Sequence, residues 1–243
     1  MKTPNRKHLA LFTSGILSLL SPTAGAATVL IDFGRGAGHS LGDNSTSGGV
    51  DTYNNIQQNP NVDGVTTGNV ALVDTSGSGA GWSINVTEDG NGFGGSSGAG
   101  ADVATFPAAV SGFETTALED TIFANGSSAS MTVTLTGLDV SKTYDLLFYG
   151  SRDNGQNVNA QTWSLTQGTG GANVVHQSEN NQTVVVDWDG LSTNGSGVIA
   201  FTISGSNNGA LALNFGQIIE VPEPSTTALL GLGGLALILR RRK

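Results

Sequence analysis

An all-β fold, a two-sheet antiparallel β-sandwich, is what this sequence predicts for residues 27–220, and three observations predict it. Glycine occurs 36 times, among abundant Ser, Thr and Asn, a composition that disfavours helix interiors. No long stretch repeats its apolar residues every 3.6 positions, whereas many short runs alternate apolar with polar, the period of a half-buried strand. Between those runs stand Asp89-Gly90, Asn91-Gly92, Asn125-Gly126, Asn154-Gly155 and Asn194-Gly195, pairs suited to the positive φ of tight hairpin turns.

The first element is a secretory signal peptide over residues 1–26. Lys2, Arg6 and Lys7 give it a basic start, residues 9–20 an apolar centre, and Ala24-Gly25-Ala26 a small-residue cleavage site that leaves Ala27 as the mature N-terminus. About a dozen apolar residues fall short of the roughly 20 that span a bilayer, so a cleaved signal is expected and not a permanent anchor.

Strands are expected over residues 28–33, 69–74, 82–87, 130–136, 144–150, 162–166, 173–177, 183–188, 198–203 and 210–219. Residues 34–68 and 90–100 hold too few apolar side chains to enter a core and read as long loops. The clearest pair is 131–136 and 144–150. Val133 and Leu135 face one way, Thr132, Thr134 and Thr136 the other, and after a polar turn Tyr144, Leu146 and Phe148 repeat the alternation. With the closing run Leu211-Ala212-Leu213-Asn214-Phe215, this hairpin resembles the galactose-binding-like jelly-roll fold of carbohydrate-binding modules. The resemblance implies a jelly-roll sandwich and assigns no ligand residue.

Residues 221–243 are a separate segment. Val221-Pro222-Glu223-Pro224-Ser225 is held extended by its two prolines, a conformation that a processing enzyme can grip. The apolar run 226–239 follows as a short hydrophobic helix. At 1.5 Å per residue it covers roughly 21 Å, less than the roughly 30 Å hydrocarbon core, so it spans only with snorkelling flanks or local thinning. Arg240, Arg241, Arg242 and Lys243 then stay on the cytoplasmic side, which puts the domain across the membrane. Pro222-Glu223-Pro224, a short Gly/Leu-rich helix and a terminal arginine cluster, in that order, resemble the PEP-CTERM sorting signal of Gram-negative bacteria. That resemblance implies an exosortase-type processing enzyme as partner and an inner-membrane-tethered intermediate. Release to the cell surface or extracellular matrix follows, in species that make exopolysaccharide, biofilm or floc.

Charge and composition narrow what the domain contacts. From Ala27 to Val221 there are three basic residues, Arg35, Lys142 and Arg152, against eighteen acidic ones, a net charge of −15. Nucleic acid and anionic lipid, which are bound through Lys and Arg, are poor partners for that field, whereas neutral sugars and divalent cations suit it. Cysteine is absent, which excludes a disulfide framework, thiolate metal sites and a cysteine nucleophile.

No catalytic constellation is evident, and the protein reads as a non-enzyme. His39 lies in a glycine-rich loop and His176 in a strand among polar residues, where it is expected to point outward. Asp187 and Asp189 flank Trp188 and so share one strand face about 7 Å apart, on the same side of any one substrate, whereas glycosidases flank the scissile bond. Calcium is the cofactor that the composition would support, because hard cations take several oxygens. Glu88, Asp89 and Asn91 form one candidate cluster, and Asp187 with Asp189 another. For sugar, an aromatic platform is the usual device, and Tyr53, Trp82, Trp163 and Trp188 are the candidates. The resulting expectation is an exported, non-catalytic surface or matrix module that associates with exopolysaccharide. A structural or adhesive protein that binds other proteins is the alternative, and a secreted hydrolase comes third.

Overall fold

Alternation sets most of the strands. The structure, a computed structural model, describes residues 26–34, 52–56, 68–89, 93–96, 106–124, 129–152, 160–205 and 211–222. Among them the chain runs through β1 (Thr28–Phe33), β2 (Tyr53–Ile56), β3 (Val70–Val73), β4 (Gly79–Asp89), β5 (Phe93–Ser96), the short helix α1 (Thr115–Glu119), β6 (Thr121–Ala124) and β7 (Ser130–Thr136). It continues through β8 (Thr143–Tyr149), β9 (Ala160–Gln167), β10 (Val174–Gln177), β11 (Val186–Ser192), β12 (Ile199–Gly205), β13 (Leu211–Leu213) and β14 (Phe215–Val221). The strand order is β11-β8-β14-β1-β2 in a five-stranded sheet, β10-β9-β12-β7-β4-β3 in a six-stranded sheet and β13-β6-β5 in a small third sheet. The pairs are antiparallel except β1 with β2, which run parallel. These strands form one compact unit, Ala27–Val221.

The expected sandwich is present, and its core lies between the two large sheets. Met131, Val133 and Leu135 of β7 and Ile84 and Val86 of β4 meet Val29, Ile31 and Phe33 of β1 and Leu146 and Phe148 of β8. Aromatic rings join the layers: Phe148 lies 4.7 Å from Phe201 and 6.3 Å from Trp163, and Trp188 stands edge-on to Phe201 at 5.3 Å. A second, smaller core covers the outer face of the five-stranded sheet. There Leu30, Tyr53, Tyr149 and Phe215 are capped by Val110 and by Ala117 and Leu118 of α1.

Three expectations need correction. The stretch 131–150 is not a paired hairpin, because β7 belongs to the six-stranded sheet and β8 to the five-stranded one. Its polar turn is an arch that carries the chain from one layer to the other, and both strands turn their apolar faces into the space between. The arch is fixed by Asp139, whose N–H donates to the Tyr144 hydroxyl at 2.7 Å and whose Oδ1 accepts from the Ser141 N–H at 2.9 Å. The supposed loops 34–68 and 90–100 contain β2 and β5. The single closing strand is two, β13 and β14, which lie in different sheets. Asn214 stands at that junction. Its Oδ1 accepts from the Ser151 N–H at 2.7 Å and its Nδ2 donates to the Leu118 carbonyl at 3.0 Å, so one side chain ties β14 to the end of β8 and to α1.

Candidate functional site on the outer face

Side chains alternate along each strand, so the register places whole rows on the outer face of the five-stranded sheet. One row reads Asp187, Leu147, Gln217, Leu30 and Tyr53 across β11, β8, β14, β1 and β2, and the next holds Asp145 and Ile219. Leu30 and Tyr53 lie beneath the α1 layer. Toward β11 the rows open into a pocket of about 270 Å³, with Leu147 and Ile219 as apolar floor and Asp145, Asp187, Asp189 and Gln217 as polar wall.

A register shift between Trp188 and Leu191 shapes that wall. Gly190 takes φ +64° within it, and its N–H donates to Asp145 Oδ1 at 2.7 Å, which fixes that carboxylate. Partial burial, and then the charges of Asp189 and Asp145, push the Asp187 carboxyl above its ordinary range. The site offers acceptors around a small apolar floor, an arrangement that suits hydroxyl donors.

The four aromatic residues expected to form a sugar platform do not form one. Tyr53, Trp82, Trp163 and Trp188 are all buried, none more than 4% exposed. Trp82 packs edge-on against Tyr144 at 5.5 Å, the Trp163 indole N–H donates to His176 Nε2 at 2.9 Å, and the Trp188 indole N–H donates to the Ala172 carbonyl at 2.7 Å. The Tyr53 hydroxyl accepts the Glu114 N–H at 3.1 Å. The reason is volume. A domain poor in large aliphatic residues fills the gap between its sheets with rings and satisfies their polar ends internally. His176, expected to face outward, belongs to the same buried group.

The two calcium clusters also change. Glu88 points inward in phase with Trp82, Ile84 and Val86 and is buried, Asp89 is the last residue of β4, and Asn91 lies outside the described residues. Asp187 and Asp189 do share a face with Asp145. Among the described residues, however, no three His, Asp or Glu side chains are arranged to hold a metal ion. What the sequence reading overlooked is Asp145 and Gln217 as partners of that pair, and a polar group on β1 and β2. There burial, with the charge of Asp120 second, pushes the Asp32 carboxyl up to about 8. A charged residue inside the run Val29-Leu30-Ile31-Asp32-Phe33, and two asparagines inside β2, are the signals that mark it.

Beyond the sandwich, β14 ends at Val221 and leads into the Pro-Glu-Pro segment. Residues 220–243 match the PEP-CTERM protein-sorting motif. The chain carries a PEP-CTERM sorting signal. It is therefore an exported protein that an exosortase processes at the membrane. The sorting residues Glu223, Pro224 and Ser225 and the expected helix 226–239 lie outside the described residues, as does the expected signal peptide apart from Ala26. Among the described residues no helix is long and apolar enough to cross a membrane. No curated protein sequence matches this chain. Two solved structures are similar in part. One is the enzymatically active domain of tailspike protein 4 of bacteriophage CBA120, with 12% identity and a TM-score of 0.28, covering 57% of this chain and 19% of that one. The other is the exo-beta-1,3-galactanase of Phanerochaete chrysosporium solved with galactose, with 18% identity and a TM-score of 0.25, covering 62% and 36%. The chain thus spans well under half the length of either, and likenesses this slight say nothing of activity.

Proposed function

We propose that the Ala27–Val221 domain is a non-catalytic module that associates with extracellular polysaccharide at the cell surface or in the matrix, once exosortase processing has released it there. The outer-face pocket is the observation that carries this reading. Asp145, Asp187, Asp189 and Gln217 present acceptor oxygens around Leu147 and Ile219, and sugar hydroxyls are donors. The charge of −15 supports a neutral ligand over an anionic one. Affinity electrophoresis through gels cast with the producer's own exopolysaccharide tests it. The reading predicts retardation of the wild-type protein, at least tenfold weaker retention of the Asp187→Asn/Asp189→Asn variant, and further weakening with Gln217→Ala. Unretarded wild-type migration overturns it and favours a protein ligand.

A further inference from the structure

The two large sheets present different chemistries outward. The acidic pocket lies on the five-stranded one, whereas the register sets the outward side chains of the six-stranded one in rows of hydroxyls. Ser164 of β9, Thr202 of β12, Thr132 of β7 and Thr87 of β4 form the central row. Thr134 and Asn85 flank it on one side. Thr162, Ser204 and Ser130 flank it on the other, with Val175 at the β10 edge. Among the described residues no outward position on these six strands is aromatic, and the one charged position is Asp89, opposite Ser130 at the corner where β4 ends.

Outward Ser and Thr are ordinary on an antiparallel sheet, but a soluble domain ordinarily intersperses charges among them. A domain with a net charge of −15 that keeps its charges off a six-stranded face leaves that face to an uncharged partner. Val175 is 60% exposed there, one of two large apolar side chains so open among the described residues. Thr132 and Thr202 are half-buried, and their hydroxyls hydrogen-bond one another across the strands at 3.2 Å, which orients both while each keeps capacity for a further bond. A second copy of the chain is a poor occupant. It brings its own charge of −15, and six strands about 4.8 Å apart and about 23 Å long give a footprint of roughly 550 Å², short of the roughly 800 Å² per partner of a stable protein interface. An uncharged glycan suits both limits. Its hydroxyls donate and accept as those of Ser and Thr do, whereas the carboxylates of the pocket only accept, and a polymer adds up weak contacts along its length.

We infer that the outer face of the six-stranded sheet is a second contact surface for polysaccharide, centred on the row of Ser164, Thr202, Thr132 and Thr87, and that its ligand is an uncharged glycan. The inference rests on the polysaccharide reading and deepens it, by naming the ligand class and a surface whose chemistry differs from that of the pocket. The pocket and this face lie on opposite sides of one sandwich. A single domain can therefore hold two chains at once, which makes it a cross-linker of the matrix as well as a binder.

The test uses the mature protein purified from its producer and the uncharged fraction of that producer's exopolysaccharide, the part that an anion exchanger does not retain. Affinity electrophoresis reads retention, and the low-shear viscosity of the polysaccharide solution reads cross-linking. Thr132→Val/Thr202→Val keeps side-chain shape and strand preference and removes two hydroxyls. It is expected to melt as the wild type does, with at least about fivefold weaker retention and no rise in viscosity. Asp187→Asn/Asp189→Asn, which alters the pocket alone, is expected to keep a residual retention that does not change with salt. Undiminished retention in the valine variant overturns the face and leaves the polysaccharide reading standing. Weaker retention in the valine variant with no change in the aspartate variant removes the pocket and upholds the face. An unretarded wild type overturns both. A wild-type dimer that the valine pair turns into a monomer in sedimentation puts a second copy of the chain on the face and overturns its assignment to glycan.

Discussion

Trp163 donates its indole N–H to His176 Nε2, and since that nitrogen only donates, the imidazole nitrogen it meets is an acceptor. The ring proton therefore sits on Nδ1, 3.0 Å from the Gln177 carbonyl, and Gln161 Nε2 approaches Nε2 at 3.0 Å. This is a neutral histidine in a closed network. Burial pushes its pKa below the usual histidine value, the Gln177 carbonyl opposing. The unfolded chain takes up a proton near pH 6.5 that the folded chain refuses, so the contribution of His176 is complete above that pH and is lost as pH falls toward the depressed folded pKa. The Tm of the wild type minus that of His176→Gln is accordingly expected to shrink from pH 7 to pH 5. A difference that stays constant would contradict the neutral assignment. Trp163→Ala is expected to cost about 3–5 kcal/mol in chemical denaturation, because the ring is fully buried against Phe148 and Phe201. The burial of these tryptophans was legible in the sequence. Trp82 shares its phase with Ile84 and Val86, and Trp188 with Val186, the phase of the core and not of a solvent-facing platform. Asp145 and Gln217 were not legible as partners of Asp187, because only the register of β8 and β14 brings them together.

At the level of elements, alternation finds best the strands with one buried and one open face, as in β7, whose burial alternates throughout, although β1, buried on both faces, was also found from its apolar run. The expected bounds coincide with β1 and β7 and nearly so with β8 and β12. The segments that escaped are short and break the period. All four residues of β2 are buried, including Asn54 and Asn55, so it shows no alternation. Residues 121–124, β6, likewise pair in a small sheet with little polar face. Nor does alternation reveal whether two successive strands pair or arch. The β7–β8 connection arches because Leu138 turns inward between the layers, with its N–H on the Gly197 carbonyl at 3.1 Å. Gly197 has φ +70°, and a Cβ there would run into the Leu138 carbonyl. Gly197→Ala should therefore lower unfolding free energy by more than about 1 kcal/mol, measured in urea, whereas Gly195→Ala, with open space around its Cβ position, should be nearly neutral.

For the whole molecule, an acidic, cysteine-free sandwich is delivered outside the cytoplasm by a sorting signal that begins where β14 ends. The core between the sheets supplies the stability that disulfides provide in many exported domains, and the outer face of the five-stranded sheet is half covered by the α1 layer and half open at the acidic pocket. Delivery is expected to be independent of that pocket. A pocket variant such as Asp187→Asn/Asp189→Asn is expected to reach the cell surface in wild-type amounts, assayed by surface labelling, whereas Pro222→Ala/Pro224→Ala is expected to accumulate at the inner membrane. The most direct test of the account is the intact mass of the mature protein purified from its producer. Processing by an exosortase predicts a chain that begins at Ala27 and ends near the Pro-Glu-Pro segment, before the apolar run and the basic cluster. A mature chain that still carries Arg240 to Lys243 would contradict it.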